Sequence, residues 1–89
     1  MLTKVQEIKE QVQSFLTRQF LFEFDEREIT PSTDLFLSGI IDSFGSVELV
    51  TFIETKFKIK LSDEDFLSGS LKSLNLIIKL IEEKTINVS

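Results

Sequence analysis

Residues Gly39 to Val50 read GIIDSFGSVELV. From Ser43 onward the apolar residues recur at three- and four-residue spacing, which marks an amphipathic helix, and Asp42 before them is a residue type that caps helix starts. Asp42 is expected to accept from the backbone N–H of Phe44 or Gly45, a contact worth about 1 kcal/mol. A cap does not explain Gly45, because glycine inside a helix costs about 0.5–1 kcal/mol against alanine. The missing side chain reads as room beside Ser43 for something large that reaches its hydroxyl. On a helical wheel Ser46, Leu49, Val50, Ile53 and Phe57 share the inward arc, while Phe44, Val47, Glu48, Thr51, Glu54 and Thr55 share the outward one. Phe44 and Val47 stand one turn apart among carboxylates, which describes a small apolar and acidic docking patch next to Ser43.

This helix, helix two, is expected from Ser43 to about Lys58. Upstream, Val5, Ile8, Val12, Phe15, Leu16, Gln19 and Phe22 keep the helical period, so helix one is expected over about residues 3 to 22, with Thr3 and Gln6 forming a capping box. Between them lies EFDEREITPSTDLFLSGIID, which has turn chemistry and the sole proline, yet also Phe24, Ile29, Leu35, Phe36, Leu37, Ile40 and Ile41. A connection that apolar must pack down, and a short helical turn is expected around Pro31 to Phe36. Downstream, Ser62 with Asp65 begins a short helix at Asp63 to about Leu67. Ser70 caps a last helix from about Leu71 to Glu83, with Leu71, Leu74, Ile77, Ile78 and Ile81 inward. The alternation in FKIKL would suit a strand, but a lone strand has no ladder partner. The chain therefore reads as all-α and as one domain spanning residues 1–89.

Composition narrows the function. The 89 residues are 42% hydrophobic and 28% charged, an ordinary globular balance. There is no cysteine and no histidine, which removes disulfides, thiolate or imidazole metal sites, and any Cys-His or Ser-His catalytic pair. An enzyme acting alone is not expected. Fifteen acidic against ten basic residues give a net charge of −5, which repels nucleic acid and anionic bilayers and favours protein partners with basic or mixed surfaces. No stretch approaches a membrane span and the N-terminus lacks an apolar signal core, so a cytoplasmic monomer is expected. The acidic segments DEREITPSTDLF and SDEDF lack the spacing of a calcium loop, so no metal is expected.

Gly39-Ile40-Ile41-Asp42-Ser43-Phe44-Gly45 followed by Val47-Glu48-Leu49 resembles the modification motif of the acyl carrier protein family, and the order of elements agrees along nearly the whole chain. The resemblance implies a four-helix bundle of acyl-carrier type, with three long helices, one short helix and a long loop between the first two. It implies 4′-phosphopantetheine on Ser43, preceded by Asp42, carrying an acyl or aminoacyl group as a thioester. The implied partners are a phosphopantetheinyl transferase, an acyl- or aminoacyl-loading ligase or adenylation enzyme, and a downstream acyltransferase or synthase. Phe44 stands where the family usually has Leu, Met or Ile, which is more similar to discrete carriers of amino acids or unusual acids than to the fatty-acid type. A helix start suits a phosphodiester because its N–H groups and dipole favour an anion. Ser43 is not expected to be catalytic; its activation belongs to the transferase.

Phe44, Val47, Glu48, Thr51 and Glu54 are the expected partner-docking residues. Reversing Glu48 or Glu54 to lysine is expected to slow modification or loading while moving stability by less than about 0.5 kcal/mol. Leu35, Phe36, Ile40 and Ile41 are expected to lie over the gap between helices two and four, near Leu49, Ile53, Leu74 and Ile78, and to line a pocket opening near Ser43. The alternative reading is a helical adaptor that binds a partner without a prosthetic group, with Ser43 a plain first-turn residue. The absence of linker sequence at either end reads as a free-standing carrier.

Overall fold

The computed structural model describes residues 3–25 and 27–86; residues 1–2, 26 and 87–89 of the expected single-domain span lie outside the described residues. Four helices and no strand occur among the described residues: α1 Lys4–Gln19, α2 Ser43–Phe57, α3 Asp63–Leu67 and α4 Leu74–Ile86. The expected pattern of three long helices and one short one, with a long connection after the first, is what forms.

The start of α1 follows from its sequence. Thr3 Oγ1 accepts from the Gln6 N–H at 3.1 Å and Gln6 Oε1 accepts from the Thr3 N–H at 2.9 Å, a reciprocal cap. Its end comes earlier than expected. Phe20 donates its N–H to the Leu16 carbonyl as the C-cap, and Leu21 then turns left-handed at φ 54°. Phe22 therefore lies beyond the helix, edge-on to Phe24, and Val5 is 41% exposed instead of inward.

The connection from α1 to α2 is stitched to the rest of the molecule. The Leu35 N–H donates to the Lys72 carbonyl at 2.7 Å, the Asn75 N–H to the Pro31 carbonyl at 3.0 Å, and the Asn75 amide to Ser32 Oγ at 3.1 Å. Leu35 and Ile41 are buried in the core. Over Pro31 to Phe36 no helix forms; the expected helical turn is realised only as a single turn shifted onward, in which the Ser38 N–H donates to the Asp34 carbonyl at 3.0 Å. Asp34 Oδ1 takes the N–H groups of Phe36 and Leu37, and Lys72 takes that of Leu35, so the donors a helix would use are engaged elsewhere. Asp25 closes a similar turn, and the Glu28 N–H, followed by that of Arg27, holds its carboxyl below the ordinary aspartate range.

The last helix begins three residues later than the sequence leads one to expect. Ser73, not Ser70, caps it: Ser73 Oγ accepts from the Leu76 N–H at 3.2 Å, while Ser70 Oγ pairs with Ser68 Oγ at 2.8 Å. Leu71 is buried all the same, in the turn that Gly69 opens at φ +84°. The FKIKL segment makes no strand, since Lys58 ends α2 in the left-handed region and Glu54 Oε2 accepts the Leu61 N–H at 2.9 Å.

Ile8, Val12 and Leu16 of α1 meet Leu74, Ile77, Ile78 and Ile81 of α4, with Leu49 and Ile53 of α2 closing the core from the third side. Each such side chain contributes about 1.5–3 kcal/mol when fully buried. The short α3 buries none of its own residues. It is held by the Ser62–Asp65 capping box, by Phe66 edge-on to Phe36, and by the Asp65–Lys84 ion pair at 2.7 Å. Lys84, first, and the Ser62 N–H, second, keep the Asp65 carboxyl below its ordinary 3.8. The contribution of that pair is complete above this value and is lost as the pH falls below it.

Candidate functional site

Ser43 is the first residue of α2, and the cap beneath it is specific. Asp42 Oδ1 accepts from the Gly45 N–H at 2.8 Å, and the Asp42 carbonyl accepts from the Ser46 N–H at 2.9 Å. The Gly45 branch of the sequence expectation is the one realised. Ser46 is buried, with its hydroxyl on the Ser43 carbonyl at 2.7 Å. Ser43 itself is exposed, and among the described residues its hydroxyl makes no hydrogen bond. The N–H groups of Ser43 and Phe44 likewise have no partner among the described residues, as expected of orphan donors at a helix start.

A nucleophile outward, two free N–H groups beside it and the positive end of a helix dipole together suit a covalently bound phosphodiester. They do not suit catalysis by this chain. Asp42, the nearest carboxylate in sequence, already holds the Gly45 N–H, and the chain has no histidine or cysteine.

The outward arc of α2 is only partly what the wheel describes. Phe44 is 82% and Val47 64% exposed, and Glu48 and Thr51 are exposed with them. Val47, Glu48 and Thr51 line one side of an open groove of about 580 Å³ whose floor is Phe15 stacked on Phe52. The Gln19 amide donates to Glu48 Oε2 from the end of α1. Glu54 departs from the docking expectation. It is half-buried, and its Oε2 accepts the Leu61 N–H at 2.9 Å, which ties it to the α2–α3 connection. The two charge reversals should consequently part company. Glu48→Lys is expected to move stability by less than about 0.5 kcal/mol, whereas Glu54→Lys strands the Leu61 N–H and should cost about 1–3 kcal/mol. Urea unfolding of the two variants checks this; equal midpoints would contradict it.

Gly45 also has a different reason from the one its sequence context implies. A Cβ built there would lie 2.6 Å from Phe20 Cε1, 3.1 Å from Phe20 Cζ and 3.3 Å from Asp42 Oδ1. The glycine admits the Phe20 ring from the end of α1. Clearance beside Ser43 is not what it provides. Phe20 and Gln19 were not legible as site residues; a glycine in a first turn signals a close neighbour without saying which.

Leu35, Ile41, Leu49, Ile53 and Leu74, expected to line a pocket between α2 and α4, are instead buried in the core, and Phe36 lines a small cavity of about 190 Å³ with Phe66, Gly69, Leu71 and Lys72. An apolar cleft opens instead between α2 and α3. It measures about 310 Å³ and is lined by Val47, Val50, Leu61, Phe66 and Leu71 among others.

Comparison with known proteins agrees with this geometry. The profile of the phosphopantetheine attachment site family matches residues 6–81. A D-alanyl carrier protein of Streptococcus equi subsp. zooepidemicus is 44% identical over 50 residues, which cover 56% of this chain and 63% of that protein. Over that match the chain thus spans less than two thirds of the relative. A D-alanyl carrier protein of Bacillus licheniformis is 40% identical over 53 residues, 60% of this chain and 68% of the relative. One from Streptococcus pyogenes serotype M5 is 32% identical over 76 residues, 85% of this chain and 92% of the relative. No described helix is long and apolar enough to cross a membrane. With a family profile spanning most of the residues and a relative 32% identical over 76 of them, the chain belongs to the acyl carrier proteins, non-catalytic carriers that hold 4′-phosphopantetheine covalently.

Proposed function

We propose that Ser43 is the attachment point, and that the chain presents an aminoacyl group, joined as a thioester to the prosthetic thiol, to a succession of enzymes in the cytoplasm. The observation that carries this reading is the exposed, unbonded Ser43 hydroxyl at a capped helix start with free N–H groups on either side of it. In modification the Ser43 oxygen forms a new P–O bond and loses its proton, the pyrophosphate bond of coenzyme A breaks, and the nucleoside bisphosphate leaves. Asp42 keeps the first turn formed throughout, and the N–H groups of Ser43 and Phe44 face the resulting anion. With no cysteine in the chain, no side-chain thiol competes for the thioester.

An aminoacyl cargo is favoured over a long acyl one by two lines of support. The relatives are named D-alanyl carriers, and the helical core is filled by its own side chains. The partners are a phosphopantetheinyl transferase, an adenylating ligase and a downstream acyltransferase, meeting Phe44, Val47, Glu48 and Thr51. The single domain over residues 1–89 acts as a monomer in this reading.

The test is stepwise. Incubation with coenzyme A and a broad transferase should add one prosthetic group by intact mass; folded protein without mass gain would favour the adaptor alternative. The loaded form should then be compared by amide shifts with D-alanine and with a medium-chain fatty acid. D-alanine should disturb only residues around Ser43. A fatty acid that shifts Val50, Phe66 and Leu71, and that its ligase loads in preference, would make the α2–α3 cleft an acyl site and overturn the aminoacyl reading.

A further inference from the structure

The end of α1 grips the first two turns of α2, once in each. Phe20 seats its ring edge on the bare Cα of Gly45, where a Cβ would meet Cε1 at 2.6 Å. Gln19 donates to Glu48, three residues further along the same helix. Phe20 is itself anchored. Its ring is edge-on to Phe15 with centroids 6.2 Å apart, Phe15 stacks on Phe52 at 4.1 Å, and Phe52 is edge-on to Phe57 at 6.2 Å. One aromatic row thus runs along the α1–α2 interface and ends beneath the turn that carries Ser43.

The sequence gives up helix propensity at Gly45 to let that ring in. The same Cβ would press on Asp42 Oδ1 at 3.3 Å, the atom that caps the turn. Ring seat and cap therefore share a single constraint. We infer that Phe20 is a positioning residue for the modification of Ser43: it fixes the first turn of α2 against α1, and with it the direction of the Ser43 hydroxyl relative to the Phe44–Val47 patch. This inference rests on Ser43 being the attachment point.

The experiment compares wild type, Gly45→Ala, Phe20→Leu and the double variant, with Ser43→Ala as the attachment control. Coenzyme A-dependent mass gain gives kcat/KM for one transferase, thermal melting reports folding, and amide shifts of Ser43 and Phe44 report the first turn. Gly45→Ala should stay folded yet lose about tenfold or more in kcat/KM, as small misplacements of a reacting group do. Its Ser43 and Phe44 amides should shift. The smaller side chain of the double variant clears the Cβ, so it should be clearly faster than Gly45→Ala and no slower than Phe20→Leu alone, a coupling expected only of residues in contact.

A Gly45→Ala rate like wild type overturns the inference. So does a double variant as slow as Gly45→Ala, because the Cβ would then obstruct the transferase directly. If Gly45→Ala melts below the assay temperature, Phe20→Leu alone decides: about a threefold or larger loss in kcat/KM with a folded melting profile supports positioning, and an unchanged rate overturns it. Mass gain on Ser43→Ala, or none on wild type, sinks the attachment reading instead; the shifts at residues 43 and 44, and their recovery in the double variant, still test the Phe20 contact on their own.

Discussion

Ser43→Ala is expected to abolish coenzyme A-dependent mass gain completely while leaving the fold intact. The Ser43 hydroxyl makes no bond among the described residues, so its removal leaves no buried partner stranded. Alanine favours the helix, and Asp42 keeps the cap on Gly45, so stability should move by less than about 0.5 kcal/mol. No neighbour can substitute as acceptor: Ser46 is buried with its hydroxyl on the Ser43 carbonyl. Intact mass and thermal melting on one sample suffice. A variant that still gains the prosthetic mass would move the attachment point elsewhere, and one that fails to fold would show that Ser43 has a structural task the geometry does not reveal.

Leu35→Ala should be the most damaging substitution in a connecting segment. Connections usually tolerate change because they run over the surface. Leu35 has 0% exposure, its N–H is held by the Lys72 carbonyl and its own carbonyl accepts the Ile41 N–H at 3.0 Å. Truncating a fully buried leucine costs about 2–5 kcal/mol, a large part of the roughly 5–15 kcal/mol that stabilises a typical domain. The melting temperature should drop by on the order of 10 °C or more. A loss under about 1 kcal/mol in urea would mean that the segment is draped on the core without belonging to it.

Local signals were the legible ones. Thr3 with Gln6 and Ser62 with Asp65 are capping boxes whose partners lie three residues apart, and both form as read. The Asp42–Ser43 start of α2 is of the same kind, which is why the candidate site could be read before the fold. Where two local solutions compete, the choice passes to packing. Ser70 and Ser73 are both plausible caps, and the turn after Gly69, with Leu71 buried in it, selects Ser73. Glu54 and Gly45 have contacts that the sequence does not display. Each is explained by a contact from a different element, Leu61 for one and Phe20 for the other, and a helical wheel contains only its own helix.

Because α1 packs chiefly on α4, the first described helix to leave the ribosome finds its core partner in the last. Contacts that distant in sequence form late, since the intervening chain must be ordered before they repay the entropy of closure. Until then Ile8, Val12 and Leu16 lack the α4 side chains that cover them in the folded core. The first turn of α2 likewise takes its seat from another element, the Phe20 ring at the end of α1. The seat of the first turn of α2 is therefore a product of tertiary folding and not of the helix start alone.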